Sequence, residues 1–434
     1  MRIAVIGSGI SGLGAAWALQ RDHQVTVFEA ADRLGGHANT VDVAMPEGPI
    51  AVDTGFIVYN EVTYPHLTRL FAQLGVDTEP SDMSFAFSLD RDFEYGASAR
   101  GVLAQPTNLL RPRFRTMLGD INRFRRVGAS LKPSPGESIG ELLARHGFSE
   151  AFRDDYLLPM IGAIWSARTT QAADYPAESI LHFLSNHGLI EIVGRPKWRT
   201  VSGGSRSYVR KLAEPLAGRI RLNSPVSQVM RADDSVIVRS PKFDETFDHV
   251  VFATHSDQAL HILGSEATPQ ERELLGAIRY EPNEAVLHGD IALMPRRRGT
   301  WSSWNAMARS QDRFDRVASV TYWMNRLQNL NPRHPLFVSL NPVTAPDPAQ
   351  IHGRYSYSHP QFDATAIAAQ RGIAAIQGRL NTWYAGAYLG YGFHEDGLQS
   401  GLHVAAALGS PAPWYDSVTA MSSAPAPQGL APVR

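Results

Sequence analysis

The chain has no cysteine among its 434 residues. That removes disulfides, thiolate metal sites, redox dithiols and any thioether link to a cofactor, and it fits a reducing compartment. An excess of either charge is also missing: 41 Lys and Arg stand against 42 Asp and Glu, a formal net charge of -1. That balance gives no sign of a nucleic-acid binder. No run approaches the ~18 apolar residues of a membrane-spanning helix. The first residues read at once as a strand, so neither a signal peptide nor a transit peptide is expected. These absences point to a cytoplasmic protein. With 44% hydrophobic and 19% charged residues, the chain is long enough for one large mixed domain or two intertwined ones.

What is present begins with a strand, a glycine-rich turn and a helix. Ile3 to Ile6 form an apolar run of the buried parallel-strand kind, and a helix-like stretch through Ala15, Ala16, Ala18 and Leu19 follows. The β-branched run QVTVFEA ends near Glu29, completing a βαβ unit. Strand patterns recur in PIAVDTGF, in RIRLNSPVSQVMRADDSVIVRS, in FDHVVFATH and in TWYAGAYLG, the last leading into the helix-like DGLQSGLHVAAAL. Residues from about Ser84 to Pro196 read as mostly helical. The nucleotide-binding elements thus recur at the start, middle and end of the chain. The expected architecture is a discontinuous α/β domain over residues 1–83, 197–256 and 372–409, with segments 84–196 and 257–371 inserted. A Pro/Ala-rich tail, 410–434, is expected to be poorly ordered.

Gly7, Gly9 and Gly12 fit G-x-G-x-x-G. The first allows a tight turn, the second lets backbone approach a pyrophosphate, and the third lets helix pack on strand. Ile10 and Ser11 open the helix, whose free N–H groups face phosphate. Glu29 ends the second strand about 20 residues on, where a carboxylate accepts hydrogen bonds from ribose hydroxyls. A merely tight turn leaves Glu29 unexplained. Only one such glycine motif occurs, so no second dinucleotide unit for NADPH is expected.

EAADRLGGHANT resembles the second signature of the flavin amine oxidase and carotenoid-desaturase superfamily. The resemblance places Ala30, Arg33, Gly35 and Gly36 along an FAD diphosphate, with His37 where the superfamily often has Arg. VDTGF, with Gly55, Phe56 and Ile57 at its end, resembles the strand and loop under the flavin ring. Val226 in NSPVSQV is similar to the backbone that brackets adenine, and Ala253 and Thr254 to the strand end closing over the dinucleotide. YAGAYLGYGFHEDGLQSGLHVAAAL resembles the C-terminal flavin motif, with Ala387 near the ring and Asp396 on the ribityl chain. The N–H groups of Gly397 and Leu398 would then face the flavin C2 carbonyl. The fold so implied is amine-oxidase-like: a Rossmann-like FAD-binding domain with an inserted α+β substrate domain. The cofactor implied is FAD. It is expected to be non-covalent, because no cysteine exists and His37 lies by the phosphates. No metal is expected.

By the same resemblance, amine oxidases place a tyrosine of an aromatic cage just before the C-terminal helix. Aligned on that motif, the position is Gly397. A missing ring removes one wall for a cation and leaves room for a chain-like substrate. A narrower resemblance, carried by LPMIGAIWSA, GTWSSWNAM and GYGFHEDGLQSGLHVA, is to a bacterial NAD/FAD-binding subgroup. Its members accompany methyltransferases similar to cyclopropane fatty acid synthases, and some are linked to fatty acyl desaturation. It implies an FAD-dependent oxidoreductase acting on an apolar substrate, a fatty acyl chain foremost, and a lipid methyltransferase as partner. A flavin amine oxidase and a non-catalytic FAD-binding accessory protein are the alternatives. Oxygen, a quinone and other external electron acceptors all stay open.

Pressing an acyl chain against a flavin calls for apolar walls. Candidates are Tyr59, Trp165, Trp304, Tyr322, Tyr388 and Tyr391, with Met160, Ile164, Trp301 and Trp323 beside them. His394, Glu395, His37 and His288 are candidate proton acceptors, and no catalytic base is assigned. Segment 100–126 interleaves Arg100, Arg111, Arg113, Arg115, Arg123, Arg125 and Arg126 with Leu109, Leu110, Phe114, Leu118, Ile121 and Phe124. That pattern suits peripheral contact with the inner face of a membrane, and equally a solvated helix whose arginines pair with acids elsewhere.

Overall fold

The computed structural model describes residues 1–165, 168–186, 189–190, 196–309 and 319–421. A five-stranded parallel sheet runs in the order Ile220–Arg221, Gln24–Phe28, Arg2–Ile6, His249–Phe252, Thr382–Tyr384. Its strands come from distant parts of the chain, so this layer is discontinuous in sequence. Ile3 to Ile6 are all buried, as strands covered on both faces require. Helix Ile10–Leu19 is apolar all round, and each of its residues is buried. It is wedged against helix His394–Ala407 and the sheet. The fit at its start is close: a Cβ on Gly12 would stand 2.0 Å from the Gly7 carbonyl oxygen.

The second large layer is a seven-stranded sheet ordered Ile351–Pro360, Tyr280–His288, Phe337–Leu340, Ser319–Trp323, Trp304–Ala308, Phe85–Leu89, Phe93–Gly96. All its pairings are antiparallel except that between Trp304–Ala308 and Phe85–Leu89. The last two strands depart from the helical reading of 84–196. FAFSL and FEYG carry little alternation because Phe87, Phe93 and Tyr95 pack into a helical layer rather than facing water. That layer contains helices Pro112–Val127, Ile139–Arg145, Leu158–Trp165 and Ala177–Asn186. Phe114 of the first sits 5.7 Å from the Phe93 ring and 5.8 Å from the Tyr95 ring. Each large apolar side chain so buried contributes about 1.5–3 kcal/mol.

One further expectation needs correction, and the Arg-rich segment shows what its side chains touch. Beyond Gly409 the composition suggests poor order, yet Tyr415–Met421 is helical and Trp414 and Val418 are buried. The Trp414 ring packs 5.7 Å from Trp17, and the Ser410 hydroxyl donates to Asp22 at 2.6 Å. Residues 422–434 of that tail lie outside the described residues. In the Arg-rich segment, Arg111 pairs with Asp92 at 3.1 Å and Arg113 with Asp155 at 2.6 Å. Arg123 donates to the His146 and Gly147 carbonyls and covers the Phe148 ring. Phe114, Ile121 and Phe124 are buried, so these arginines and rings hold the helix onto its neighbours. Among the described residues no helix is long and apolar enough to cross a membrane.

Candidate functional site

A cavity of about 940 Å³ runs from the glycine-rich turn to the seven-stranded sheet. At its first end it is lined by Gly7, Gly9, Ile10, Ser11, Glu29, Ala30, Gly36, His37, Val226, Ala253 and Thr254. Helix Ile10–Leu19 has no side-chain cap and no acid in its first turn, so its end N–H groups are left for another acceptor. A Cβ on Gly9 would meet nothing within 4 Å, which leaves open space at the helix start. Glu29 Oε2 accepts from the Ser8 amide at 2.9 Å and the Ser8 hydroxyl at 2.6 Å, and Oε1 from the Ala31 amide. A carboxylate has about four acceptor sites. Glu29 therefore braces the turn and keeps about one acceptor site for a hydroxyl. Together these features fit a diphosphate and a ribose.

Three predicted residues stand behind this wall rather than in it. Gly12 supports the helix–strand contact, and Gly35 turns the chain at φ +104. The Arg33 guanidinium donates to the Gly36 carbonyl at 2.9 Å, so it fixes the turn and does not line the cavity. His37 does line it, with Nε2 buried and lacking a partner among the described residues. Its ring lies 5.4 Å from His359 and 6.3 Å from His255, and burial with these neighbours holds it well below the ordinary imidazole range. His359, pushed down by burial to about 4, and His255 also line the cavity. Sequence reasoning passed over both. His255 carries a signal in hindsight, since it directly follows the strand end at Thr254. His359 carries none, because only the sheet brings it there.

The middle of the cavity is formed by Gly55, Phe56, Ile57, Ala387, Tyr388, Phe393 and His394. The Phe56 and His394 rings stack at 3.8 Å, and His394 Nε2 shares a 2.6 Å hydrogen bond with the Tyr208 hydroxyl. Burial depresses His394 to about 3, so it is neutral. Here the expected placement of the C-terminal motif is wrong by a turn. The helix begins at His394, and the Gly397 amide already donates to the Phe393 carbonyl at 3.0 Å. A Cβ on Gly397 would strike Ile10 and Ser11, and Leu398 packs under Gly14. Neither lines the cavity. Asp396 accepts from the Phe393 amide at 2.8 Å, capping its own helix, and burial raises it to about 6. The residue just before the helix is thus Phe393, an aromatic ring that lines the cavity. The inference of a missing cage wall, drawn from Gly397, fails.

The far end is apolar. Trp165, Trp304, Tyr322 and Tyr391 line this end, with Tyr388 nearer the middle, and are joined by Met83, Phe85, Phe183, Ala285, Val338 and Leu340. Trp304 and Tyr322 are cross-strand partners whose rings meet edge-on at 4.9 Å. Trp304 Nε1 and the Tyr388 hydroxyl are buried without partners among the described residues. Tyr59 belongs elsewhere: it packs on Phe71 at 5.2 Å and its hydroxyl donates to Thr78. Trp301 and Trp323 pack on each other at 5.4 Å outside the cavity. His288 bonds to Ser339, and Glu395 accepts from the His66 and Leu67 amides, so both are structural. Among the described residues, Glu29 and Asp257, at the nucleotide end, are the only carboxylates that line the cavity, and no described Lys or Arg joins them.

Residues 10–287 match the family model for flavin containing amine oxidoreductases. The chain belongs to that family. Its members are FAD-dependent oxidoreductases, and the uncapped helix, Gly9 and Glu29 fit that cofactor. This flavoprotein is 26% identical over 270 residues to amine oxidase [flavin-containing] A of Canis lupus familiaris, covering 58% of the chain and 47% of the relative. It is 28% identical over 224 residues to protoporphyrinogen oxidase 2 of Arabidopsis thaliana, covering 48% and 41%. The chain thus spans about half the length of the curated relatives it matches. In fold it is similar to a fatty acid isomerase from P. acnes, TM-score 0.65 at 16% identity, covering 92% of this chain and 96% of that one. It is also similar to cyclohexylamine oxidase from Brevibacterium oxydans, TM-score 0.66 at 18% identity, covering 94% and 98%.

Proposed function

We propose that this flavoprotein oxidises or desaturates an apolar substrate, a fatty acyl chain, with non-covalent FAD in the first half of the cavity. The observation that carries this reading is the far end, where rings and aliphatic side chains form the walls and no charged side chain stands among the described lining residues. The fold does not choose, since it serves both a fatty acid isomerase and an amine oxidase. FAD, when bound, supplies a two-electron acceptor. The chain's own residues do the rest. Glu29 and the open helix start hold the nucleotide, and Phe56, stacked on His394, fixes the wall at the middle of the cavity. Trp165, Phe183, Trp304 and Tyr322 exclude water and align a hydrocarbon segment by contact alone. A partner that modifies the same acyl chain, a lipid methyltransferase, belongs to this reading.

An amine is the second reading. Phe393 stacks on Phe183 at 4.9 Å and Trp165 lies 4.5 Å from Phe183, so rings are at hand for a cation. Anaerobic mixing of the yellow protein with acyl lipids and, separately, with primary and tertiary amines decides between them. Bleaching of the flavin by acyl lipids alone is expected. Bleaching by amines alone overturns the proposal, and bleaching by neither makes the chain an accessory protein.

A further inference from the structure

Eight large hydrophobic side chains are exposed among the described residues, and three of them, Leu103, Leu109 and Leu110, fall within one short segment. Leu110 is 80% exposed and Leu103 56%. The segment cannot fold these leucines inward because its buried positions are taken by polar ties. The Asn108 amide donates to the Glu94 carbonyl at 2.9 Å, and Gln105 donates to the Asp92 carbonyl and accepts from the Glu94 amide.

A second basic stretch lies against the same place. Gly299 abuts Ala104, which brings the loop carrying Arg296 and Arg298 beside helix Ala99–Leu103. The fully buried Glu94 carboxylate holds that loop, accepting from the Arg296 amide at 2.6 Å and the Arg297 amide at 2.9 Å. Glu94 also takes the Arg297 guanidinium at 3.2 Å. Arg100, Arg115, Arg296 and Arg298 are exposed and make no ion pair among the described residues. The exposed acid Asp92 is engaged by Arg111.

We infer that this face, Leu103, Leu109 and Leu110 ringed by Arg100, Arg115, Arg296 and Arg298, docks on the surface of an anionic lipid bilayer. Charge complementarity and insertable leucines are what such a surface asks for: guanidinium groups meet lipid phosphates while short apolar side chains enter the acyl boundary. The inference does not rest on the identity of the substrate. It differs from the sequence pattern in its residues, since Arg111, Arg113 and Arg123 are occupied and Arg296 and Arg298 replace them.

Sedimentation of the full chain with phosphatidylglycerol vesicles and with phosphatidylcholine vesicles, at low and high salt, tests it. Binding to the anionic vesicles alone, weakened by salt, is expected. Arg100→Gln with Arg115→Gln lowers partitioning by about 25-fold, from about fivefold per arginine. Leu110→Ser, at a position too exposed to disturb the fold, lowers it as well. Both variants keep the flavin content and thermal midpoint of the parent. The inference is overturned if the parent stays in solution, if neutral vesicles bind equally, or if the variants bind like the parent. It is also overturned if light scattering shows a lipid-free dimer that Leu110→Ser dissolves, because the face then belongs to a second copy of this chain.

Discussion

Gly9 and Gly12 sit three residues apart in one motif and should fail in opposite ways when changed to alanine. At Gly12 the added Cβ would stand 2.0 Å from the Gly7 carbonyl oxygen and 3.0 Å from the Ala253 Cβ. Backbone cannot yield cheaply, so overpacking of about 1–3 kcal/mol is expected in the apoprotein. At Gly9 the Cβ meets nothing within 4 Å, and φ -66 with ψ -179 is a conformation alanine adopts freely. Losing glycine at the cap and gaining rigidity in the unfolded chain nearly offset, leaving apoprotein stability within about 0.5 kcal/mol of the parent.

The open space at Gly9 matters only once a diphosphate lies against it. A methyl group there displaces the diphosphate from the helix end and forfeits a hydrogen bond to a charged group, about 1.5–3 kcal/mol. FAD affinity then drops roughly tenfold to 150-fold. Thermal unfolding of the two apoproteins and fluorescence titration with FAD separate the effects. Gly9→Ala should unfold like the parent and bind FAD weakly, whereas Gly12→Ala should unfold early. Unchanged FAD affinity in a well-folded Gly9→Ala protein would falsify the placement of the diphosphate.

Acid precipitation of the holoprotein should release the yellow colour into the supernatant, and colour kept in the pellet refutes non-covalent binding. Glu29→Gln should lower FAD affinity by roughly 1–3 kcal/mol while loosening the Ser8 turn, read by titration and by thermal unfolding together. His66, His288, His359 and His403 are each pushed down to about 4 by burial. Below 6.5 the unfolded chain binds protons that the folded one refuses, so these groups cost stability as pH falls from 6.5 towards 4, by about 1.4 kcal/mol per pH unit each. Denaturant titrations that show no loss from them in this window would contradict their neutral burial. Glu395 is raised by burial to about 8, so its contribution is present below 4.5 and is lost as pH rises through 8. Glu395→Gln should flatten that loss between pH 4.5 and about 8, at a cost of about 1–3 kcal/mol for facing an amide against the His66 or Leu67 N–H.

The nucleotide half was legible because local pattern and chemistry coincide there. A buried strand, a glycine turn and an uncapped helix are neighbours in sequence, and Glu29 closes the next strand. Arg33 and Tyr59 were misread for one reason. Residue type shows what a side chain can do, and the partners that occupy it, the Gly36 carbonyl and Phe71, are set by tertiary packing. The histidines show the same limit from the other side. His37, His255 and His359 come from three separate elements and meet only through the fold.

The C-terminal motif is the instructive error, because a shift of register there inverted an argument about substrate. Starting the helix near Asp396 put glycine at the cage position and suggested spare room. The helix instead starts at His394, so the ring at that position is Phe393, backed by Phe183 and Trp165. Room above the flavin can therefore no longer argue for a chain-like substrate. What argues for it is charge. A cationic amine held in an apolar chamber needs a counter-charge or several converging ring faces to offset its desolvation. The two carboxylates among the described lining residues, Glu29 and Asp257, lie at the other end, and Glu29 already accepts three hydrogen bonds. A hydrocarbon segment needs no such compensation, and the walls from Met83 to Leu340 give it contact without a desolvation cost.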